Sequence, residues 1–191
     1  PGIMLMIWFT FAFIALAAHS HVSRVTRMDI MEGGINQWLM KPINYYLQNM
    51  CREIGYKIIS IFLTLTVTLI VYVAAPEYIR VPESPLTVVY FLLFLIPAFI
   101  ISHLTEFFIG ITSFWLGENS AASNIKHMIN TVMNGELAPL HFFPTFLRTI
   151  AIALPFQYLG YVPAQIFLEN ITGLNIGKHA LFALVWIGIL G

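Results

Sequence analysis

"IGYKIISIFLTLTVTLIVYVAA", residues 54–75, carries a single charge, Lys57. A bilayer span takes about 20 mainly apolar residues, so this stretch is long enough to be one. Lys57 lies near its start, where a long aliphatic stem lets the ammonium reach the interface. Reading it as a span makes lipid the solvent, and the whole composition agrees. Hydrophobic residues are 59% of the chain, charged residues 9%, and mean hydropathy is +0.82. A soluble domain carries about 25% charged residues. Formal net charge is zero, so no bulk field draws the chain to nucleic acid. The one cysteine, Cys51, allows no internal disulfide.

Outward from that stretch, residues 2–18, "GIMLMIWFTFAFIALAA", form a second apolar run. Residues 86–117 are long enough for a tilted span and an interfacial turn ending near Trp115, and 178–191 begin a last one. No basic region and cleavage site accompany the first run, so it does not read as a signal peptide. Both ends are apolar, and we expect 1–191 to be part of a longer membrane protein. There is no internal repeat and no low-complexity linker. The segment 19–57 holds Arg24, Arg27, Lys41, Arg52 and Lys57, five of the nine Lys and Arg, whereas 76–85 holds only Arg80. Basic residues mark the cytoplasmic side, so 19–57 is inside and 76–85 outside.

Two segments resist hydropathy. On a helical wheel of 119–134, "NSAASNIKHMINTVMN", residues Ser123, His127, Asn130, Thr131 and Asn134 share one face, and Ile125, Ile129, Val132 and Met133 the other. Such a helix crosses lipid only with its polar face on protein or water. The alternative is an amphipathic helix on the cytoplasmic surface, and the wheel leaves both open. Residues 135–176 are apolar but broken by Pro139, Pro144, Pro155 and Pro163, with no piece long enough to span. They predict two short helices, the second bent at Pro163, as a hairpin re-entering one leaflet.

Between the first two spans lies "MDIMEGGINQWLMKPINYY", residues 28–46. Ile35, Trp38 and Leu39 fall at i, i+3 and i+4, Gly33-Gly34 precede them and Pro42 follows. That predicts a short amphipathic helix lying flat on the cytoplasmic face. It is either a plain interfacial helix or a docking element for a cytoplasmic partner.

"IMEGGINQWLMKPIN" resembles the cytoplasmic segment after the second span in permeases of the ATP-binding-cassette type-2 (ABC-2) exporter family, in the branch with a separate ATPase subunit. A late signature of that branch is similar too. It starts with Phe114-Trp115 and continues as "GELAPLHFFPTFLRTIAIALPFQYLGYVPAQ", through Gly135, Pro139, Leu140, Phe143, Pro144, Leu147, Arg148, Leu154, Pro155, Phe156, Gln157, Tyr158, Tyr161, Pro163 and Gln165. The resemblance covers essentially the whole chain. It implies an all-α, polytopic fold of six spans, about five of them in 1–191, forming one transmembrane permease domain. Residues 21–52 would be its cytoplasmic coupling segment, with 28–42 the coupling helix. Residues 119–134 would be the fifth span, and 135–176 an external segment with a re-entrant element at 139–170. It also implies a dimer of two permease chains, alike or different, an ABC ATPase subunit as partner, and a multi-pass place in the bacterial plasma membrane among lipid. The fifth span is more polar than the family's pattern, and His103 and Glu106 sit inside the fourth, which is a second departure.

On that frame we expect Glu32, Gly33, Ile35, Trp38 and Leu39 to couple to the ATPase, and Pro144, Arg148, Pro155 and Tyr158 to form an external gate. His103, Glu106, Ser123, His127, Asn130 and Asn134 are candidates for the translocation path. For His103 and Glu106, at i and i+3, the other reading is a paired contact between helices, because a lone charge at mid-membrane costs about 2.5–3.5 kcal/mol. Ser60, Thr64 and Thr68 form a stripe better explained by bonds to their own helix carbonyls. A membrane-embedded hydrolase using His103 and Glu106 is an alternative class, but two ligands fall short of the three that a catalytic metal needs, and we expect no catalytic or metal-binding residue. A channel is a further alternative and would need no coupling helix. No phosphate-cradling Gly-rich loop occurs, so this chain is expected to bind no cofactor, with ATP and Mg on the partner ATPase.

Overall fold

The computed structural model describes residues 2–74, 82–117, 120–135 and 143–191. Most of the expected outer loop 76–85 lies outside them, as do Pro139 and Leu140. The described residues are helical, with no strand among them. In chain order the α-helices are α1 Gly2–Ala18, α2 Val22–Met31, α3 Ile35–Leu39, α4 Tyr45–Ala74, α5 Pro85–Ile111, α6 Ser113–Leu116, α7 Ser120–Met133, α8 Thr145–Ala153, α9 Tyr161–Phe167 and α10 Leu174–Leu190. A 3-10 turn, Pro155–Leu159, joins α8 to α9.

The helix α5 is the hub, packing against α1, α2, α9, α10 and the 3-10 turn. It begins with Pro85, where a missing N–H costs no intrahelical bond. Its inner face buries Phe91, Phe94, Leu95, Ala98 and Ile101 against Ile14, Ala17 and Ala18 of α1 and Leu159, Val162 and Ile166 of the later helices. In lipid, burying apolar surface gives no net drive between helices, so close packing of small residues carries the association. Gly110 shows how close: a Cβ there would lie 2.7 Å from Thr26 Cβ and 3.1 Å from Ser23 Cα of α2.

The outward surface is what a lipid solvent demands. On α4, Phe62 is 70% exposed and Val73 75%. In water a contiguous apolar face of this kind would mark an aggregation or binding surface. Two helical stretches, Tyr45–Val71 and Pro85–Leu116, are long and apolar enough to cross a membrane, and Leu174–Leu190 is a shorter apolar helix.

Four boundaries differ from expectation. The helix α4 starts at Tyr45 rather than near residue 54, because Asn44 Oδ1 accepts from the N–H groups of Tyr46 and Leu47 and caps it. At 30 residues, or about 45 Å, it extends beyond a hydrocarbon core of about 30 Å. Helix α2 was not expected at all. Its buried residues are Val22, Ser23 and Thr26, too polar a set to give an apolar period. The bend expected at Pro163 falls at Gly160 instead, with φ −153° and ψ −60°, and Pro163 sits in the first turn of α9, where its missing N–H is harmless. Finally, α10 begins at Leu174, just after Gly173 with φ +59°, not at 178.

Candidate functional site

The segment between the first two long helices forms a polar-to-apolar tip. Glu32 ends α2, and Gly33 at φ +74° reverses the chain, a conformation that a side chain would strain. Of the residues expected to face one way, Ile35 is buried, Trp38 is half-buried with Lys41 Nζ 3.9 Å over its ring, and Leu39 is 69% exposed. Met28, Met31, Met40 and Ile43 of the same segment are exposed as well. This patch is missing from the sequence reading, which weighed only the i, i+3, i+4 face. Tyr45 Oη donates to Asp29 Oδ2 at 2.8 Å, tying the start of α4 to α2. The tip is thus a flexible-side-chain surface on a firmly held base, since α2 is wedged against Gly110 of α5.

Behind the base, polar side chains join three helices. Glu53 of α4 accepts from Ser20 Oγ at 2.5 Å, from His21 N–H at 2.7 Å and from His103 Nδ1 at 2.8 Å. Ser20 N–H donates to Ser102 Oγ at 2.8 Å, which binds the end of α1 to α5. His103 is fully buried, with Tyr46 edge-on at 5.1 Å and Phe99 at 5.8 Å. Lys57 Nζ donates to the Leu16 carbonyl at 3.0 Å, filling one of the acceptors that the last turn of α1 leaves open. Glu106 accepts from Lys126 of α7 at 2.5 Å. His103 and Glu106 therefore engage different partners on different helices. Sequence reasoning singled out these two and missed Glu53, Ser20 and Lys126. Glu53 stands just ahead of the apolar run, where only the longer α4 makes it an intramolecular partner.

The helix α7 has 14 residues and is about 21 Å long, short of a full crossing. It rises from the Lys126–Glu106 contact to Asn134, whose carbonyl would be 3.0 Å from a Cβ on Gly160, while Phe11 of α1 would be 3.1 Å away. Asn130 and Asn134 are buried, Ser123 is half-buried, and His127 is exposed with Ile125, Met128 and Ile129. The polar face is turned into the protein at Asn130 and Asn134, and outward at His127.

From the 3-10 turn, α9 returns toward the start of α5. Phe167 meets Phe91 at 5.0 Å, and Glu169 Oε1 accepts from Ser84 N–H at 3.3 Å and Thr87 Oγ1 at 3.2 Å. Pro144 precedes α8 and is exposed, as is Arg148 on α8. Pro155 and Tyr158 are buried in the turn, with Tyr158 edge-on to His179 of α10 at 6.2 Å. Gln157 Nε2 donates to the Ile152 carbonyl at 2.5 Å, satisfying an acceptor that the broken helix frees. The Ser60–Thr68 stripe faces α1, and Thr64 Oγ1 bonds its own helix at the Ser60 carbonyl, 2.7 Å away.

No curated protein and no solved structure matches the chain. The family model described as ABC-2 family transporter protein matches residues 2–191. With an all-helical architecture and lipid-suited surfaces behind that match, the chain belongs to the ABC-2 family of transporter proteins.

Proposed function

We propose that the chain is the permease subunit of an ATP-driven exporter, with ATP hydrolysis on a separate ABC ATPase. The observation that carries this is the tip at Glu32–Ile43, which exposes Leu39, Met40 and Ile43 and is mounted on an α2 wedged against α5. A channel has no use for such a lever. Glu32, Gly33, Trp38 and Leu39 meet the ATPase, while Ile35 anchors α3 to its own chain. ATP binding on the partner moves this tip and shifts the balance between two access states of the spans. The full protein has six membrane segments, and α7 is the core of the fifth, residues 119–134. A second permease chain, identical or related, covers the exposed side of α7, and Ser123 and His127 face the shared pathway. His103, Glu106, Asn130 and Asn134 act on that pathway by holding its walls. The elements from Pro144 to Tyr158 form the outer gate, with Arg148 at headgroup level.

Co-purification of the full-length protein with an ABC ATPase, followed by reconstitution, tests this. Gly33→Pro and Glu32→Arg should leave the permease inserted but abolish its stimulation of the ATPase. Wild-type stimulation and transport in both variants would refute the coupling role.

A further inference from the structure

We propose that the groove between α1 and α4 is a binding site for an anionic phospholipid of the cytoplasmic leaflet. At its lower end a cleft of about 310 Å³ is bordered by Arg52, Lys57, His21 and Asn49. A second cleft of about 310 Å³ continues upward between Phe13 on α1 and Leu63, Thr64 and Val67 on α4. The two share Leu16 and Ser60, so they form one groove with a basic mouth and an apolar run. From Asn49 to Thr68 the groove follows about 28 Å of α4 at 1.5 Å per residue. That is the shape of a headgroup followed by an acyl chain.

Charge chooses the headgroup. Arg52 is exposed and makes no ion pair among the described residues. Lys57 commits one proton to the Leu16 carbonyl and has two left for a phosphate. Glu53 is the one carboxylate at the mouth, and both its oxygens are occupied, by His21 N–H on one side and by Ser20 and His103 on the other. Arg52 and Lys57 outnumber it, so the mouth is net positive. Basic pockets between spans at the cytoplasmic side are where anionic headgroups bind. The acyl chain lies where α1 and α4 fail to interdigitate, so it replaces no protein contact. The site extends beyond the exporter reading and depends only on residues 19–57 being cytoplasmic.

The test is photolabelling of the full-length protein in lipid nanodiscs. The probe is phosphatidylglycerol with a diazirine in one acyl chain, compared with phosphatidylcholine carrying the same chain. Cross-linked residues are mapped by mass spectrometry. Phosphatidylglycerol should label 12–16 and 60–68 preferentially. Arg52→Gln should cut that labelling about fivefold, the contribution of one basic side chain near an anionic headgroup. Lys57→Gln should act likewise, and Arg24→Gln, an exposed cation of α2 outside the groove, should not. Equal labelling by the two lipids would make this ordinary boundary lipid and overturn the proposal. Labelling confined to the exposed Ile70 and Val73, with none at 12–16 or 60–68, would show another helix covering the groove, and would overturn it too. Transport is not read, so the result is independent of whether the protein exports anything.

Discussion

Replacing Glu53 by Ala removes the acceptor for three donors at once: Ser20 Oγ, His21 N–H and His103 Nδ1. Breaking a buried charge pair from one side costs about 3–5 kcal/mol in soluble proteins. Hydrogen bonds between membrane helices are weaker, averaging about 0.6 kcal/mol and reaching about 1.7. The Glu53 side chain is 14% exposed, so water reaches the vacated site and the membrane figure governs. Three bonds then give a loss of about 2 kcal/mol. His103→Leu breaks only one of them and leaves Glu53 with two donors, so it should cost about 0.6 kcal/mol. The double variant leaves no buried imidazole without a partner. It should be more stable than the sum of the single losses by about 0.6 kcal/mol, because the shared bond can be lost only once. Steric trapping in bicelles measures each stability in a lipid environment. Losses that add to within about 0.3–0.5 kcal/mol would show that the two residues do not share a bond, and would refute the network.

Gly110→Ala should destabilise by about 1–3 kcal/mol, since its Cβ meets Thr26 at 2.7 Å, whereas Gly55→Ala, with nothing within 4 Å, should be neutral or mildly stabilising; thermal unfolding in detergent compares them. His19, just past α1, is held neutral by burial and then by Lys126 and Lys57, which lower its pKa from 6.5 to about 4. Below 6.5 the unfolded chain therefore takes the proton first, and stability falls as pH drops from 6.5 toward 4; His19→Gln should flatten that part of the profile. In the assembled transporter His127→Cys should react with a water-soluble thiol reagent faster than Asn130→Cys, and equal rates would show that α7 does not keep the face seen here. Arg148→Cys should react with an impermeant reagent from outside; reaction from the cytoplasm alone would invert the proposed topology after residue 119.

The apolar helices were legible because lipid demands long runs, and long runs need no partner to be recognised. The turn at Gly33-Gly34 and the breaks around Pro144 and Pro155 were legible for the opposite reason, since they are local backbone chemistry. What could not be read is where helices meet. Helix α2 buries Ser23 and Thr26, and its complement is the absence of a side chain at Gly110, more than eighty residues away. Nothing in either segment's period announces that fit. His103 drew notice as a polar residue in an apolar run, but its partner Glu53 looked like one more charge ahead of a span. The polar stripe of α7 was visible on a wheel. Its distribution between a buried Asn130 and an exposed His127 depends on the Gly160 turn that the helix abuts.

Helix α4 packs chiefly on α1, and much of its length shows apolar side chains to lipid. Lipid tails are as apolar as Leu, so separating the upper part of α4 from α1 costs little. Its firm attachments lie at the end next to α2: Tyr45 to Asp29, Glu53 to Ser20 and His103, and Lys57 to the Leu16 carbonyl. Above Ser60 the two helices enclose a groove. A helix held at one end and loose at the other tilts about the held end. The same cluster joins α2 to α4 and α1 to α5, so under the proposed coupling a displacement of α3 would act on all four helices at one point. Substitutions at Glu53 should therefore weaken ATPase stimulation more than equally destabilising substitutions at Gly110. Equal effects at equal stability loss would mean that the cluster only holds the fold together.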